Sequence, residues 1–280
     1  MTRWLHHNSR DKSTLHLPRI LCLHGGGTNV CIFRTQCRAL EKALRPWFRL
    51  CYAEAPFPSN QSPDVKSVYH TFGPFYTWID SKNTNPLAMA KLLQKSLYEA
   101  IVQDDDRGAA GPVVGLLGIS QGARICASLI LEQQLLDRVM NCQPNPLPKF
   151  HFAILLAAQG PLVTLSPLSV QADTMRKMRR TYMNHKPACN DGEDGETNLV
   201  LTRELIQIPT IHVHGRRDPS LEQHQKILYE YFDPQYTRVL ERGGAHRPPF
   251  KSKDVRALVQ EINLLWASVL FRQQRILPVA

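Results

Sequence analysis

No CxxC pair occurs among the 7 cysteines of this 280-residue chain, and their number is odd. That spacing argues against a disulfide framework and against a cysteine-built metal site. Several cysteines lie inside apolar runs, as in Leu21-Cys22-Leu23 and Ile125-Cys126-Ala127, and read as buried reduced thiols. The opening Met1-Thr2-Arg3-Trp4-Leu5-His6-His7 lacks the apolar centre of a signal peptide. No stretch is long and apolar enough to span a bilayer, so the expected setting is cytoplasmic, with no membrane partner. Acidic residues are in deficit, 24 against 34 basic ones, for a net charge of +10. A surplus of that sign suits nucleic acid, an anionic surface or an acidic protein. Zinc-finger spacing, an RNA-binding signature and a basic zipper are all missing, however, and nucleic acid is not expected as a partner.

Internal repeats and low-complexity linkers are absent too. What is present is an alternation of short apolar runs with helix-length periodic stretches, the signature of a parallel sheet with crossover helices. Strands are expected at Ile20–Leu23, Phe48–Ala53, Val113–Leu117, Phe152–Ala157, Thr210–His214 and Tyr236–Leu240. Helices are expected at about Val30–Leu44, Leu87–Val102, Gly122–Val139 and Asp254–Phe271. Val113–Leu117 is the most apolar of the short strands and belongs at the sheet centre. The expected architecture is α/β over a single domain, residues 1–280, with about six parallel strands and helices on both faces. Two lid-like insertions interrupt it, at about 56–86 and 161–198.

Gly118-Ile119-Ser120-Gln121-Gly122 fits G-x-S-x-G, with a buried strand before it and a helix after it. A strand–turn–helix corner of that kind is so tight that small residues must flank the serine. The bland alternative is a serine helix cap between glycines. Serine needs a base, and the base needs an orienting carboxylate. Asp218 lies just beyond the Thr210 strand, and His246 follows the last strand in Gly243-Gly244-Ala245-His246. The order Ser120, Asp218, His246 is that of α/β hydrolases, and each residue lies beyond a strand's carboxyl end. His212 and His214 alternate within a strand and read as structural, while His224 and Asp233 fall in or after a helix and make poorer triad members. For the oxyanion, the Gln121 N–H is one expected donor. The second comes from His24-Gly25-Gly26-Gly27, with Gly26 favoured and Gly27 as the other choice. A phosphate-cradling loop would need a Gly-Lys-Ser/Thr that does not follow. No metal and no cofactor are expected.

Taken together, Leu23-His24-Gly25-Gly26-Gly27-Thr28-Asn29, Ala55-Pro56-Phe57-Pro58, Gly73-Pro74-Phe75-Tyr76-Thr77-Trp78, the serine motif and the Asp218 and His246 loops resemble the fungal family of serine hydrolases in the α/β-hydrolase superfamily. The resemblance runs from about residue 18 to residue 271. It implies Ser120 as nucleophile, His246 as base and Asp218 as orienter, and it makes Gly27, Phe75, Tyr76 and Trp78 candidates for substrate contact. The HGGGTN form resembles members encoded beside fungal polyketide synthases, which implies thioester hydrolysis that releases or clears acyl chains. Asp218 departs from the usual pattern in being followed by Pro219-Ser220.

Three functions stay open: a thioesterase for synthase-bound acyl chains, a carboxylesterase for a small free ester or lactone, and an idle hydrolase-fold binding protein. The intact triad speaks against the last. For the first, an acyl-carrier domain is the expected partner. Arg176, Lys177, Arg179 and Arg180 are its candidate landing site, unless they only solvate a lid helix with Met175 and Met178 packed beneath. Only 19 residues precede Ile20, too few for the leading strand pair of a full eight-stranded core, so the sheet is expected to be trimmed.

Overall fold

A computed structural model describes residues 12–80, 82, 85–139, 147–185, 205–246 and 251–276. In chain order the elements are β1 (Arg19–Leu23), α1 (Val30–Leu44), β2 (Arg49–Ala53), β3 (Phe57–Ser59), α2 (Pro63–Tyr69), β4 (Phe75–Thr77), α3 (Pro86–Asp106), β5 (Val113–Ile119), α4 (Gln121–Arg138), β6 (Phe152–Leu156), α5 (Pro167–His185), β7 (Thr210–Gly215), α6 (Leu221–Tyr231), β8 (Thr237–Arg242) and α7 (Ser252–Ile276). Six strands form one sheet in the order β2-β1-β5-β6-β7-β8, and every pairing in it is parallel. All six expected strands are found within two residues of their expected ends.

Period-two alternation splits the strand side chains between two cores. Leu21, Leu23, Leu116, Ala153 and Leu155 face one, shared with α3, α4 and α6. Ile20, Cys22, Val114, Leu117, Ile154 and Leu156 face the other, shared with α1 and α7. Both faces are therefore covered, which is why these strands read as unbroken apolar runs. Buried in this way, the Cys22, Cys37 and Cys126 thiols are pushed up, and Cys51 is pushed up to about 12. Cys31, by contrast, is exposed, and Cys142 and Cys189 lie outside the described residues.

The sheet reverses direction between β1 and β5. From β1 the chain steps outward to β2, then returns to lay β5 on the opposite side of β1. Open α/β sheets form their crevice at such a reversal, outside the carboxyl ends of the strands. Here those ends carry the glycine loop after β1 and Ser120 after β5.

The first insertion is more ordered than the sequence suggests. Phe57–Ser59 pairs antiparallel with Phe75–Thr77, and α2 lies between them. Pro58 within a three-residue strand hid this hairpin, since proline normally demotes a strand reading. In the second insertion Pro167–His185 is a helix that packs on α4. Met175 is 41% exposed, so it is not packed beneath that helix as expected. The Met178, Arg179 and Arg180 side chains lie outside the described set.

Candidate active site

Ser120 joins β5 directly to α4 with φ 53° and ψ −118°, a left-handed conformation that non-glycine residues rarely adopt. Its N–H donates to the Leu156 carbonyl at 2.8 Å, which pins the corner to β6. The flanking glycines are steric requirements. A Cβ on Gly118 would lie 2.5 Å from the Ala123 nitrogen, and one on Gly122 would fall on the Leu23 and His24 carbonyl oxygens. The serine therefore stands at the sheet edge because nothing larger than hydrogen fits on either side of it. Such strain is retained where function over-determines it.

The glycine loop lies against this corner. A Cβ built on Gly25 would sit 3.7 Å from the Ser120 Cβ, and one on Gly26 would sit 3.0 Å from Gln121 Oε1. Gly27, at φ 67°, donates its N–H to the Tyr76 carbonyl at 2.8 Å, and its own carbonyl accepts from Ser62 N. The Gly27 N–H is thus committed to the hairpin, whereas the Gly26 N–H has no partner among the described residues. Gln121 opens α4, so its N–H has no helical carbonyl one turn earlier to bind.

Several side chains hold the loop in place. Asn29 caps α1 through Ile32 N and donates to the Phe72 and Pro74 carbonyls at 2.7 and 2.8 Å. Trp78 was a candidate for substrate contact, but it is wholly buried. Its indole N–H donates to the His24 carbonyl at 2.7 Å and its ring leans on the His24 ring at 5.2 Å. It supports the loop from behind. Phe75 and Tyr76 are half-buried on β4, and Tyr76 N donates to the Thr28 carbonyl at 2.7 Å.

The loops after β7 and β8 are clamped together: Arg216 N donates to Arg242 O, and Arg217 N to Gly244 O. They bring Asp218 and His246 into contact, with His246 Nδ1 2.7 Å from Asp218 Oδ2. Asp218 is nearly enclosed, its side chain 1% exposed, and its other oxygen accepts from Ser220 N at 2.9 Å. Beside a carboxylate, Nδ1 carries the ring hydrogen and leaves Nε2 as the acceptor. No hydrogen bond joins Ser120 to His246 in this structure, a looseness common in sites without substrate. Asp233 lies apart, capping a short turn through Gln235 N.

The sequence set His224 aside as a poorer triad member because it falls in a helix, yet the structure brings it up to Asp218. It is fully buried on α6, and its Nε2 lies 3.8 Å from Asp218 Oδ2. It continues a stack of rings, His212–His214–His224–His246, with centroids 6.1, 5.8 and 5.7 Å apart. Burial pushes His212 down to about 3, and it lowers His224 to about 4 against the opposing pull of Asp218. His214 is lowered by the same cause.

The model of the family described as serine hydrolase (FSH1) matches residues 13–258. The chain belongs to this family. It is 61% identical over 272 residues to "Esterase tropF" of Talaromyces stipitatus, covering 96% of this chain and 89% of that one. It is 46% identical to "Esterase pigG" of Monascus ruber, over 91% and 93% of the two chains. Among solved structures, acyl-protein thioesterase 2 of Zea mays is similar with a TM-score of 0.50 at 15% identity, covering 91% of this chain and 96% of that one. At that identity the likeness speaks to the α/β-hydrolase fold alone. As a member of the family the protein is a serine hydrolase. No helix among the described residues is long and apolar enough to cross a membrane.

Proposed function

We propose that the protein cleaves acyl esters or thioesters with Ser120 as nucleophile, His246 as base and Asp218 as orienting acid, releasing or editing chains made by a fungal secondary-metabolite synthase. In this reading Ser120 Oγ attacks the acyl carbonyl while its proton passes to His246 Nε2. The oxyanion is held by the N–H groups of Gly26 and Gln121. His246 then returns the proton to the departing thiol or alcohol, and water repeats the sequence to free the acid. The observation that carries the reading is the positive-φ serine at the switch point of the sheet, with the glycine loop packed against it. The esterase names of the relatives support the substrate class. The same names favour a second reading, a carboxylesterase for a small free ester or lactone.

Delivery by an acidic carrier domain is the finer form of the first reading. Two of the four basic residues proposed to receive it already have partners: Arg176 lies 4.3 Å over the Tyr231 ring, and Lys177 pairs with Asp173 at 2.6 Å. Matched oxoester and thioester substrates, free and carrier-bound, test the whole. A preference for carrier-bound thioester supports chain release, and equal turnover of small free esters favours the second reading. Failure of a fluorophosphonate probe to label Ser120 overturns both.

A further inference from the structure

His224 has no role in the proposed mechanism, yet it is one of the most enclosed polar groups in the molecule. Both ring nitrogens lack a hydrogen-bond partner and the residue is 0% exposed. Asp218 Oδ2 stands 3.8 Å from its Nε2, beyond hydrogen-bond reach. A buried imidazole with neither nitrogen satisfied costs stability unless something else uses it. What it faces is the acid–base pair. One donor atom from each of Asp218, His224 and His246 lies within 4.8 Å of the other two.

We propose that Asp218, His224 and His246 form a binding site for a divalent transition-metal ion of the zinc type, and that its occupancy switches the hydrolase off. Two imidazoles and a carboxylate are a ligand set such ions accept, with a fourth position left for water. Coordination bonds of about 2.0–2.2 Å in a tetrahedron set ligand atoms roughly 3.3 Å apart. The distances from Asp218 Oδ2, 2.7 Å to His246 and 3.8 Å to His224, fall on either side of that value. A small outward swing of His246 and an inward one of His224 would seat the ion. His246 is the exposed member, at 19%, so the ion enters from its side.

The inhibitory consequence rests on His246 being the base. An ion on His246 Nδ1 takes the lone pair of that nitrogen, so the ring proton must move to Nε2. The proton is relocated and not released, and Nε2 can no longer accept from Ser120. Asp218 meanwhile gives its charge to the ion. Metal and proton thus compete for the same edge of His246, and only the proton-bound form is active.

The test is a Zn2+ titration of the full chain against a chromophoric chelator. It uses the parent, Ser120→Ala, His224→Gln and His224→Phe, each checked by circular dichroism. Binding of one Zn2+ per chain with equal affinity by the parent and Ser120→Ala is expected, with a weakening of about tenfold or more in both His224 variants. The Zn2+ concentration that halves ester hydrolysis, read against each variant's own uninhibited rate, should rise in proportion. Undiminished binding in folded His224 variants would place the ion on other histidines and overturn the site. Absence of binding to the parent overturns it as well, and binding without inhibition overturns the switch. Should the variants not fold, Co2+ added to Ser120→Ala decides: tetrahedral visible bands support the site and their absence overturns it. Binding to Ser120→Ala is independent of hydrolysis, so a parent that binds Zn2+ but cleaves no ester would sink the proposed function and leave the metal site standing.

Discussion

The side-chain carbonyl of Gln121 accepts the backbone N–H of Trp78 at 2.7 Å and the Thr77 hydroxyl at 2.9 Å. The residue whose main chain is proposed to hold the oxyanion is therefore tied by its side chain to the β3–β4 hairpin. Trp78 in turn donates to the His24 carbonyl, and Tyr76 receives the Gly27 N–H. Elbow, hairpin and glycine loop are thus one hydrogen-bonded unit. Oxyanion donors are effective only when such a frame holds them before substrate arrives.

Gln121→Ala should loosen that unit without removing any proposed donor. Leaving the Trp78 N–H unpaired should cost about 1–3 kcal/mol in denaturant unfolding, and turnover should fall more than substrate affinity. Gln121→Glu keeps an acceptor in place and should recover much of the turnover. Full activity in Gln121→Ala would show that the hairpin tie is dispensable.

Ser120→Ala should abolish fluorophosphonate labelling and lower turnover by several orders of magnitude. Alanine keeps the strain at φ 53°, whereas glycine relieves it. Ser120→Gly should therefore be equally inactive yet more stable than Ser120→Ala, by about 1 kcal/mol in urea unfolding. Equal stabilities would mean that the elbow is not strained.

Gly122→Ala tests the packing behind the elbow. Its methyl would press on the Leu23 and His24 carbonyls, which are backbone and cannot rotate away. Destabilisation of about 1–3 kcal/mol or more is expected, together with loss of activity, because the same shift moves the oxyanion loop. A variant with parental melting temperature would contradict the close approach.

The serine corner was legible in the sequence because its constraint is local: only glycine fits at 118 and 122, and the chain writes it there. Asp218 and His246 were legible because each follows a strand in a known order. The β3–β4 hairpin was not, since Pro58 masks a strand that pairs with β4, which is itself tied through Tyr76 to the main chain of Gly27 and Thr28. Trp78 misled for a related reason. An aromatic beside a motif resembles a pocket wall, and only the fold shows its indole turned inward onto His24. His224 was set aside because it belongs to a helix, and its approach to Asp218 arises from how α6 packs, which no spacing along the chain announces.

Asp218→Asn should leave His246 near its place but present an amide that can stabilise the wrong ring tautomer. A loss of about 10⁴-fold in turnover is expected, by analogy with the same change in other serine triads, with little change in binding. Asp233→Asn is the control. Its carboxylate caps a surface turn, and activity there should be unaffected.

The buried histidines predict how stability depends on pH. Burial holds His212 down at about 3 and His224 at about 4, and it lowers His214 as well, whereas each titrates near 6.5 in the unfolded chain. Between those values the unfolded state binds more protons than the folded one, so stability rises with pH across the window. It is complete above about 6.5 and is lost progressively as pH falls, until the folded histidines themselves take up protons. Each contributes at most about 1.4 kcal/mol per pH unit. Below about pH 5 carboxylates add to the loss, so the slope should be read by urea unfolding between pH 5 and 6.5. His212 is the cleanest probe, because neither ring nitrogen has a partner and its ring packs edge-on to Phe232 at 4.4 Å. His212→Leu should therefore flatten that slope by up to the equivalent of one proton at its acid end while leaving hydrolysis at pH 8 nearly intact. An unchanged slope would mean that His212 takes up its proton as readily in the folded chain as in the unfolded one, and that its burial is relieved in solution.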